Sequence, residues 1–393
     1  MNSPTKYRID SIDLLRGVVM VIMALDHTRD YFHLGAWVND PTDLAVTTPV
    51  IFFTRLITHF CAPVFVFLAG TSAFLYGSKK TKPELSKFLI TRGLWLIFVE
   101  LAIMSFIWSF NIHYSIINLI VIWAIGISMI VLGILIYLPQ KAILIVSLVL
   151  ICGHNLLDGI TMEGKSFTSV IWYIIHQSSF VDYDSFVLNV GYPVLPWIGV
   201  MALGYCFGEF YTKDFDVSVR KKWLLRLGLG AIILFLILRS TNVYGDLVPW
   251  TTQKNTTYTI LSFLNVTKYP PSLSFLLITL GPALLFLNAT ETIKNKFTDF
   301  FLVFGRVPFF YYILHILIIH FFALLGLLIT GGDWRIMILS GDVFTNGKLG
   351  SYGYPLWVVY LIWIGIVLLL YPLSKRYMIY KTNNKDKWWL SYL

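Results

Sequence analysis

Charged residues are scarce in this chain. They make up 13% of its 393 residues, whereas hydrophobic residues make up 57%. Soluble globular domains contain about 25% charged residues, so this composition excludes an ordinary soluble domain. We therefore predict an all-α fold, a polytopic integral membrane helix bundle.

Cysteine is also rare, and its positions exclude two further classes of protein. Cys61, Cys152 and Cys206 lie in or beside apolar runs and do not have the spacing of metal ligands. A disulfide-rich scaffold and a zinc-finger module are therefore excluded, and we expect buried thiols. We also expect no cleavable signal peptide, because the first apolar run leads into polar residues rather than a small-residue cleavage site.

Long apolar runs, by contrast, extend through the whole chain. A helix of about 20 residues crosses a hydrocarbon core about 30 Å thick. The runs predict ten transmembrane helices in a single domain over residues 1–393. They lie near 12–34, 50–77, 88–110, 114–138, 141–158, 192–211, 222–240, 271–289, 299–329 and 355–379.

Basic residues predict the orientation of these helices. Under the ten-helix topology, four basic clusters fall on one side, which the positive-inside rule makes cytoplasmic. Both termini are then cytoplasmic, and the net charge of +9 needs no nucleic-acid partner. The loops expected on the other side are 35–49, 159–191, 241–270 and 330–354. The clusters are Lys6 and Arg8; Lys79, Lys80, Lys82 and Lys87; Lys213, Arg220, Lys221 and Lys222; and Lys375, Arg376, Lys381, Lys385 and Lys387.

The first predicted helix carries ionisable residues along one face. Arg16 and His27 are eleven residues apart, which on a helix places them on one stripe about 16 Å apart. Asp13 and Asp30 fall near the same stripe. Charged groups inside a membrane helix are costly and usually face a protein interior or cavity, which makes this stripe a candidate functional site. The alternative is that these charges lie at the two membrane interfaces.

Polar residues at a similar predicted depth occur on at least five helices. We expect them to line a cavity with histidines toward the outer mouth, and with Arg16 and Arg306 at the inner mouth. The outer set comprises His27, Arg29, Asp30, His33, Arg55, His59, Tyr192, Trp197, Lys268, Tyr269, His315 and His320.

Histidine is the usual general base near neutral pH, and a carboxylate beside it orients the ring. His27 has Asp30 one turn away and Asp26 beside it, whereas His33 follows Arg29 by one turn. Each histidine alone is equally consistent with a hydrogen bond between helices. No two of His27, His33, His59 and His315 are four residues apart, so we predict no metal site.

Six motifs occur in an order that resembles the bacterial homologues of heparan-alpha-glucosaminide N-acetyltransferase, within the transmembrane acyltransferase superfamily. They extend along almost the whole chain. The motifs are Arg8 to Gly17 followed by Leu25-Asp26-His27; Pro63 to Ser72; Pro196 to Met201 with Gly204 and Gly208; Lys268 to Leu273; Gly305 to Pro308 with His315; and Trp388 to Leu393.

This resemblance implies an acetyltransferase that moves acetyl from cytoplasmic acetyl-CoA to an amino-sugar or glycan acceptor across the membrane. It assigns the base to His27, with Asp26 or Asp30 steadying the imidazolium. The lysosomal enzyme has an amide at the position of His27 and a histidine nearest to His33, so His33 stays a rival. Arg16 and Arg306 are expected at the CoA phosphates, and Tyr311, His315 or a backbone amide at the thioester oxygen. The residues expected at the acceptor are Arg29, His59, Trp197, Lys268 and Tyr269.

Other interpretations remain open from the sequence. A proton-coupled transporter or flippase of a small polar or glycan substrate would also need a polar cavity across the membrane. The stretch Gly204 to Gly208 is suited to close helix packing, either within the chain or in a homodimer. The amino-acid usage suggests the inner membrane of a bacterium, with membrane lipid as a partner.

Overall fold

The computed structural model of the protein describes residues 9–343 and 347–391. Lys6 and Arg8, which contribute to the predicted orientation, lie outside these ranges, as do Tyr392 and Leu393 of the last motif. The structure is 68% helical. Seven helices in its described part are long and apolar enough to cross a membrane, which confirms a polytopic membrane helix bundle.

The helices follow one another along the chain with mostly short connections. In order they are α1 (Asp10–Phe32), α2 (Pro49–Thr58), α3 (Cys61–Gly77), α4 (Lys82–Phe98), a π-helix (Val99–Met104), α5 (Ser105–Ser109), α6 (Val121–Leu135), α7 (Gln140–Gly153), α8 (Phe167–Ile175), α9 (Leu195–Phe207), α10 (Val217–Thr241), α11 (Thr256–Leu264), α12 (Leu273–Thr290), α13 (Lys296–Arg306), α14 (Pro308–Ile329) and α15 (Leu356–Asn383). Short 3-10 helices occur at His154–Leu157, Gly208–Tyr211, Trp334–Met337 and Trp388–Ser391.

Side chains at the starts of several helices satisfy backbone N–H groups that have no partner within the helix. Thr48 precedes α2 and accepts from the Ile51 N–H, and Ser272 precedes α12 and accepts from the Phe275 N–H. Thr81 and Glu84 form a reciprocal capping box at the start of α4. These polar residues set the points at which the apolar helices begin.

The predicted segments 50–77 and 299–329 are each divided by proline. Pro63 has no N–H to bond the carbonyl of His59, and the chain turns at His59 and Phe60 between α2 and α3. Likewise, Val307 has a non-helical backbone and Pro308 starts α14. Both histidine-bearing helices are therefore interrupted near their polar residues.

The predicted segment 114–138 differs at its beginning, where residues Ile116–Leu119 form strand β1 and only Val121–Leu135 is helical. Strands β2 (Ser179–Asp182) and β3 (Val187–Val190) complete a small sheet in which β3 pairs parallel with β1 and antiparallel with β2. A short apolar run fits a buried strand as well as a helix, so the prediction that this helix begins at residue 114 was wrong. The total of ten membrane crossings stays a prediction.

Helix α1 lies inside the bundle and contacts α2, α3, α12, α13, α14 and α15. Most of its residues are buried. Its crossing with α13 is very close, since a Cβ added to Gly17 would lie 2.0 Å from the Phe301 carbonyl oxygen. Three ionisable side chains of α1, Asp13, Asp26 and Arg29, are buried within the protein, as the cost of charge in a membrane requires.

A second close crossing joins α3 to α9. A Cβ on Gly204 would lie 2.0 Å from the Phe67 carbonyl oxygen, and one on Gly70 would lie 2.0 Å from that of Met201. The predicted close contact of Gly204 is therefore made within the chain.

Candidate active site

A cavity of about 1230 Å³ lies at the C-terminal end of α1. Arg29, Asp30, His33 and Arg55 reach it from the helices. Most of the remaining lining comes from three of the four loops expected on the outer side, 35–49, 159–191 and 330–354. The fourth loop is bound to the first, because the Tyr258 hydroxyl donates to the Thr47 carbonyl at 3.0 Å. The four loops thus gather at one end of α1.

A buried ion network begins just below this cavity. Asp26 pairs with Arg29 at 3.0 Å on its own helix and with Arg55 of α2 at 2.5 Å, and Arg29 also contacts Asp30 at 2.6 Å. Arg29 is 4% exposed and Asp26 is 7% exposed. Charges buried this deeply are tolerated only when paired, so the two arginines hold Asp26 as a carboxylate.

His27 lies on the adjacent face of α1. Its Nδ1 is 3.6 Å from an Asp30 carboxylate oxygen, which is an electrostatic contact but too long for a hydrogen bond. The ring meets Trp108 edge-on at 4.8 Å between centroids and approaches the His315 ring at 5.3 Å. Of the two acids expected to orient His27, Asp30 is therefore the nearer partner, while Asp26 is engaged by the arginines.

His315 approaches His27 from α14, and the Tyr311 ring stacks on His315 at 5.2 Å between centroids. His315 Nδ1 lies 2.9 Å from the Tyr311 carbonyl, which accepts a hydrogen bond, so Nδ1 carries the proton in the neutral ring. His315 Nε2 is then an acceptor, and it is buried with no hydrogen-bond partner. The Tyr311 hydroxyl is also buried without one. Of the two, Tyr311 is the residue able to donate a hydrogen bond.

His33 is placed differently. It caps the C-terminus of α1, and its backbone N–H donates to the Arg29 carbonyl at 2.9 Å. Its side chain lines the cavity directly, whereas His27 lies one to two turns deeper. The two histidines predicted as rival bases are thus at different depths on the same helix.

The residues expected at the acceptor approach the Asp26 network from other elements. Trp197 stacks on Tyr192 at 5.5 Å, Tyr192 meets Tyr269 at 5.3 Å, and Lys268 Nζ lies 5.1 Å from the Tyr269 ring centroid. Burial alone would raise the pKa of Tyr269, but the positive charges of Lys268 and Arg55 outweigh it and lower that pKa. The predicted residues Trp197, Lys268 and Tyr269 are therefore part of one aromatic and cationic cluster.

His59 lies at the break between α2 and α3 and is 3% exposed. Its ring is 5.3 Å from that of Phe275, and its Nδ1 has no hydrogen-bond partner. It is close enough to Arg55 and Lys268 to interact with both charges. His59 is thus brought to the same cluster.

Arg16 and Arg306 lie together at the opposite end of α1. Arg16 pairs with Asp13 at 2.9 Å and donates to the Ser72 hydroxyl at 3.0 Å. Arg306 pairs with Asp10 at 3.1 Å. The structure therefore brings these two guanidinium groups to one place, each beside an aspartate.

The family model for the catalytic domain of heparan-alpha-glucosaminide N-acetyltransferase matches residues 8–244, more than half of the chain. The chain belongs to this family. It is accordingly a membrane acetyltransferase in general class. A search of curated proteins found no match.

The matched range of this acetyltransferase covers His27, His33, His59 and Trp197 but ends before α11. Lys268, Tyr269, Arg306, Tyr311 and His315 lie beyond it. The structure nevertheless brings His315 against His27 and Lys268 toward Asp26. The later half of the chain therefore contributes to the same end of α1 as the matched half.

One buried acid of this acetyltransferase was missing from the predicted site. Glu100 is fully buried in the π-helix that interrupts α4 and α5. One of its oxygens accepts from the Trp123 N–H at 3.0 Å, and the other has no hydrogen-bond partner. The signal was present in the sequence, because an acid within the apolar segment 88–110 is itself a candidate functional residue. π-Helical turns also occur frequently at functional sites.

Asp26, His27 and Asp30 offer three ligand atoms that lie within 4.8 Å of one another. A cation there would meet Arg29 and Arg55, which already neutralise the two carboxylates. The two arginine charges therefore make the cluster of Asp26, His27 and Asp30 unfavourable for a metal ion. The arrangement is suited to acid–base chemistry at His27.

Proposed function

We propose that this enzyme transfers acetyl from cytoplasmic acetyl-CoA to an amino-sugar or glycan acceptor on the opposite side of the membrane. Membership of the acetyltransferase family supports the reaction type. The observation that carries the proposal is His27, which is held between Asp30, Trp108 and His315 on the same helix as Arg16. A base and a cationic donor site on one membrane helix suit a reaction whose two substrates come from opposite sides.

His27 acts as the general base in this proposal. The Asp30 carboxylate near Nδ1 favours the tautomer with a proton on Nδ1, which leaves the Nε2 lone pair for the acceptor. His27 takes a proton from the acceptor amine or hydroxyl as that atom attacks the thioester carbonyl carbon. The C–S bond then breaks, and the imidazolium returns its proton to the CoA thiolate.

Tyr311 supplies the hydrogen bond to the thioester oxygen. Negative charge develops on that oxygen during attack, and a buried donor already in position stabilises it. The unpartnered Tyr311 hydroxyl supports this role. His315 then orients the site and does not donate, because its Nδ1 proton is engaged by the Tyr311 carbonyl. An acetyl-histidine intermediate is the alternative route.

Arg16 and Arg306 bind the phosphates of CoA at the inner mouth. A guanidinium group is suited to phosphate because it presents two parallel donors. Arg16 and Arg306 are 17% and 29% exposed, so both remain accessible from that end. On binding, a CoA phosphate would replace Asp13 and Asp10 as the acceptor of some of the hydrogen bonds that Arg16 and Arg306 donate.

The acceptor binds in the 1230 Å³ cavity. Asp30, Asp182 and Asp184 line it together with Trp37. Carboxylates attract the ammonium group of an amino sugar, and an aromatic ring offers a flat surface to a sugar. These features favour an amino sugar or a glycan that carries one. We place the enzyme in a bacterial inner membrane with lipid around it, and a homodimer is compatible with this arrangement.

Binding and transfer by the purified protein test the proposal together. We expect acetyl-CoA to bind in isothermal titration calorimetry and labelled acetyl to appear on at least one of a panel of amino sugars. His113→Ala, which changes an exposed histidine outside the cavity lining, is the control and should leave both unchanged. Folded protein that neither binds acetyl-CoA nor transfers acetyl would contradict the proposal.

A further inference from the structure

Three metal-ligating side chains meet where helix α7 ends, outside the candidate active site. His154 begins the 3-10 helix after α7, Asp158 follows that helix, and His176 caps the C-terminus of α8. One nitrogen from each histidine and a carboxylate oxygen of Asp158 lie within 4.8 Å of one another.

The two imidazoles are buried with most of their hydrogen-bonding capacity unused. His154 is 2% exposed and His176 is 3% exposed. Neither ring nitrogen of His154 has a hydrogen-bond partner, and Nδ1 of His176 also has none. Polar atoms that are buried without a partner are rare, and a bound ion is one of the explanations for them.

Asp158 is oriented by a further residue. Its Oδ1 lies 3.0 Å from His176 Nε2, and its Oδ2 accepts from Asn155 Nδ2 at 2.8 Å. Asn155 in turn accepts from the Leu273 N–H at the start of α12 at 2.9 Å. Metal-binding carboxylates are commonly held in this way by an outer hydrogen bond.

We propose that His154, Asp158 and His176 bind a divalent transition-metal ion of the zinc class. Two imidazoles and one carboxylate form a ligand set that zinc uses, with a fourth position for water. Zinc bonds of about 2.0–2.1 Å in a tetrahedral site place ligand atoms about 3.3 Å apart. The Asp158–His176 separation of 3.0 Å is already near that value, and a His154 ring nitrogen lies within 4.8 Å of both ligand atoms.

The role of this metal is structural. None of the three ligands belongs to the lining of the 1230 Å³ cavity. His176, however, stands three residues before β2, and the β2–β3 hairpin supplies Phe180, Asp182 and Asp184 to that lining. An ion bound at this place would therefore fasten the hairpin to the end of α7 and, through Asn155, to α12.

Metal content and thermal unfolding of the full-length protein test the proposal. We expect about one zinc ion per chain by elemental analysis, loss of that zinc on chelation, and a melting temperature that falls on chelation and recovers with added Zn²⁺. Co²⁺ in place of Zn²⁺ should give the visible absorption of a tetrahedral site. None of these readouts depends on acetyl transfer.

Substitutions separate the metal from other causes of stability. His154→Ala and Asp158→Asn should abolish zinc binding and the response of the melting temperature to zinc, whereas His113→Ala should preserve both. Asn155→Ala should weaken zinc affinity by about 10- to 100-fold, because the carboxylate loses its outer hydrogen bond.

Two results would overturn the inference. The first is a wild-type protein that retains no zinc and whose melting temperature does not respond to added Zn²⁺ or Co²⁺. The second is zinc binding of wild-type strength in Asp158→Asn. This substitution preserves the shape of the side chain, so the test remains valid even if His154→Ala fails to fold.

Discussion

The two ends of α1 both carry pairs of acidic and basic side chains, but they differ in how deeply these side chains are buried and in whether their polar atoms have hydrogen-bond partners. At the N-terminal end, Arg16 and Arg306 pair with Asp13 and Asp10, and three of these four side chains are between 17% and 34% exposed. At the C-terminal end, Asp26 and Arg29 are almost fully buried, and His27 Nδ1 has no hydrogen-bond partner.

In the proposed mechanism, this difference separates a binding surface at the N-terminal end from a reacting centre at the C-terminal end. Partly exposed, paired charges can exchange partners with an incoming anion at little cost, because water screens them. Buried polar groups without a hydrogen-bond partner cannot exchange partners with water, so a substrate that enters can form hydrogen bonds with them. We therefore expect substitutions at the C-terminal end to have much larger effects than those at the N-terminal end.

The largest effect is expected for His27→Ala. Loss of a general base reduces turnover by about 10²- to 10⁴-fold. Acetyl-CoA affinity should stay near the wild-type value, because in the proposed mechanism the donor phosphates bind at the other end of the helix. Steady-state transfer assays and calorimetry measure the two quantities. The matched variant His33→Ala should retain most of its turnover, and the reverse pattern would move the base to His33.

A large effect on stability is expected for Asp26→Asn. It leaves Arg29 and Arg55 buried without a full counter-charge. Breaking a buried pair in this way costs about 3–5 kcal/mol. Unfolding in detergent, followed by circular dichroism against denaturant, measures the change. A loss below about 1 kcal/mol would mean that water reaches this network and screens it.

The positions of the ionisable residues along α1 could be predicted from the sequence. Spacing along α1 placed Arg16 and His27 on one helix and Asp30 one turn from His27, because contacts three or four residues apart follow from helix geometry alone. The pair of Asp26 with Arg55 joins two helices, and no local periodicity encodes such a contact. The cluster of His154 with His176 was missed for the same reason, since 22 residues separate them.

The interruptions of the helices were harder to predict. Pro63 signalled the turn at His59, and proline also explains the boundary at Val307. The strand Ile116–Leu119 gave no comparable signal, since its pairing with β3 depends on a segment about 70 residues later. Glu100 was visible as an isolated acid, but its π-helical backbone follows from packing that the sequence alone does not show.

A moderate effect is expected for Arg16→Ala. If Arg16 donates to a CoA phosphate, its loss removes a charge-assisted hydrogen bond worth about 1.5–3 kcal/mol, so the acetyl-CoA Kd rises by roughly 10- to 100-fold. Arg16→Lys keeps the positive charge but loses the two parallel donors, so its acetyl-CoA Kd should lie between those of the wild type and Arg16→Ala. Calorimetry gives the three constants. Equal affinity in all three proteins would restrict Arg16 to its contacts with Asp13 and Ser72.

The smallest effect is expected for Asp10→Asn, at the same end of α1. Asp10 contacts Arg306 and Lys294, whose side chains are 29% and 76% exposed. Exposed ion pairs contribute about 0–1 kcal/mol, so denaturant unfolding should change by no more than that, in contrast to Asp26→Asn. Because the variant also frees Arg306, acetyl-CoA affinity should be unchanged or slightly higher. A destabilisation as large as that of Asp26→Asn would show that both ends of α1 depend equally on their ion pairs, and the distinction between a binding end and a reacting end would then be wrong.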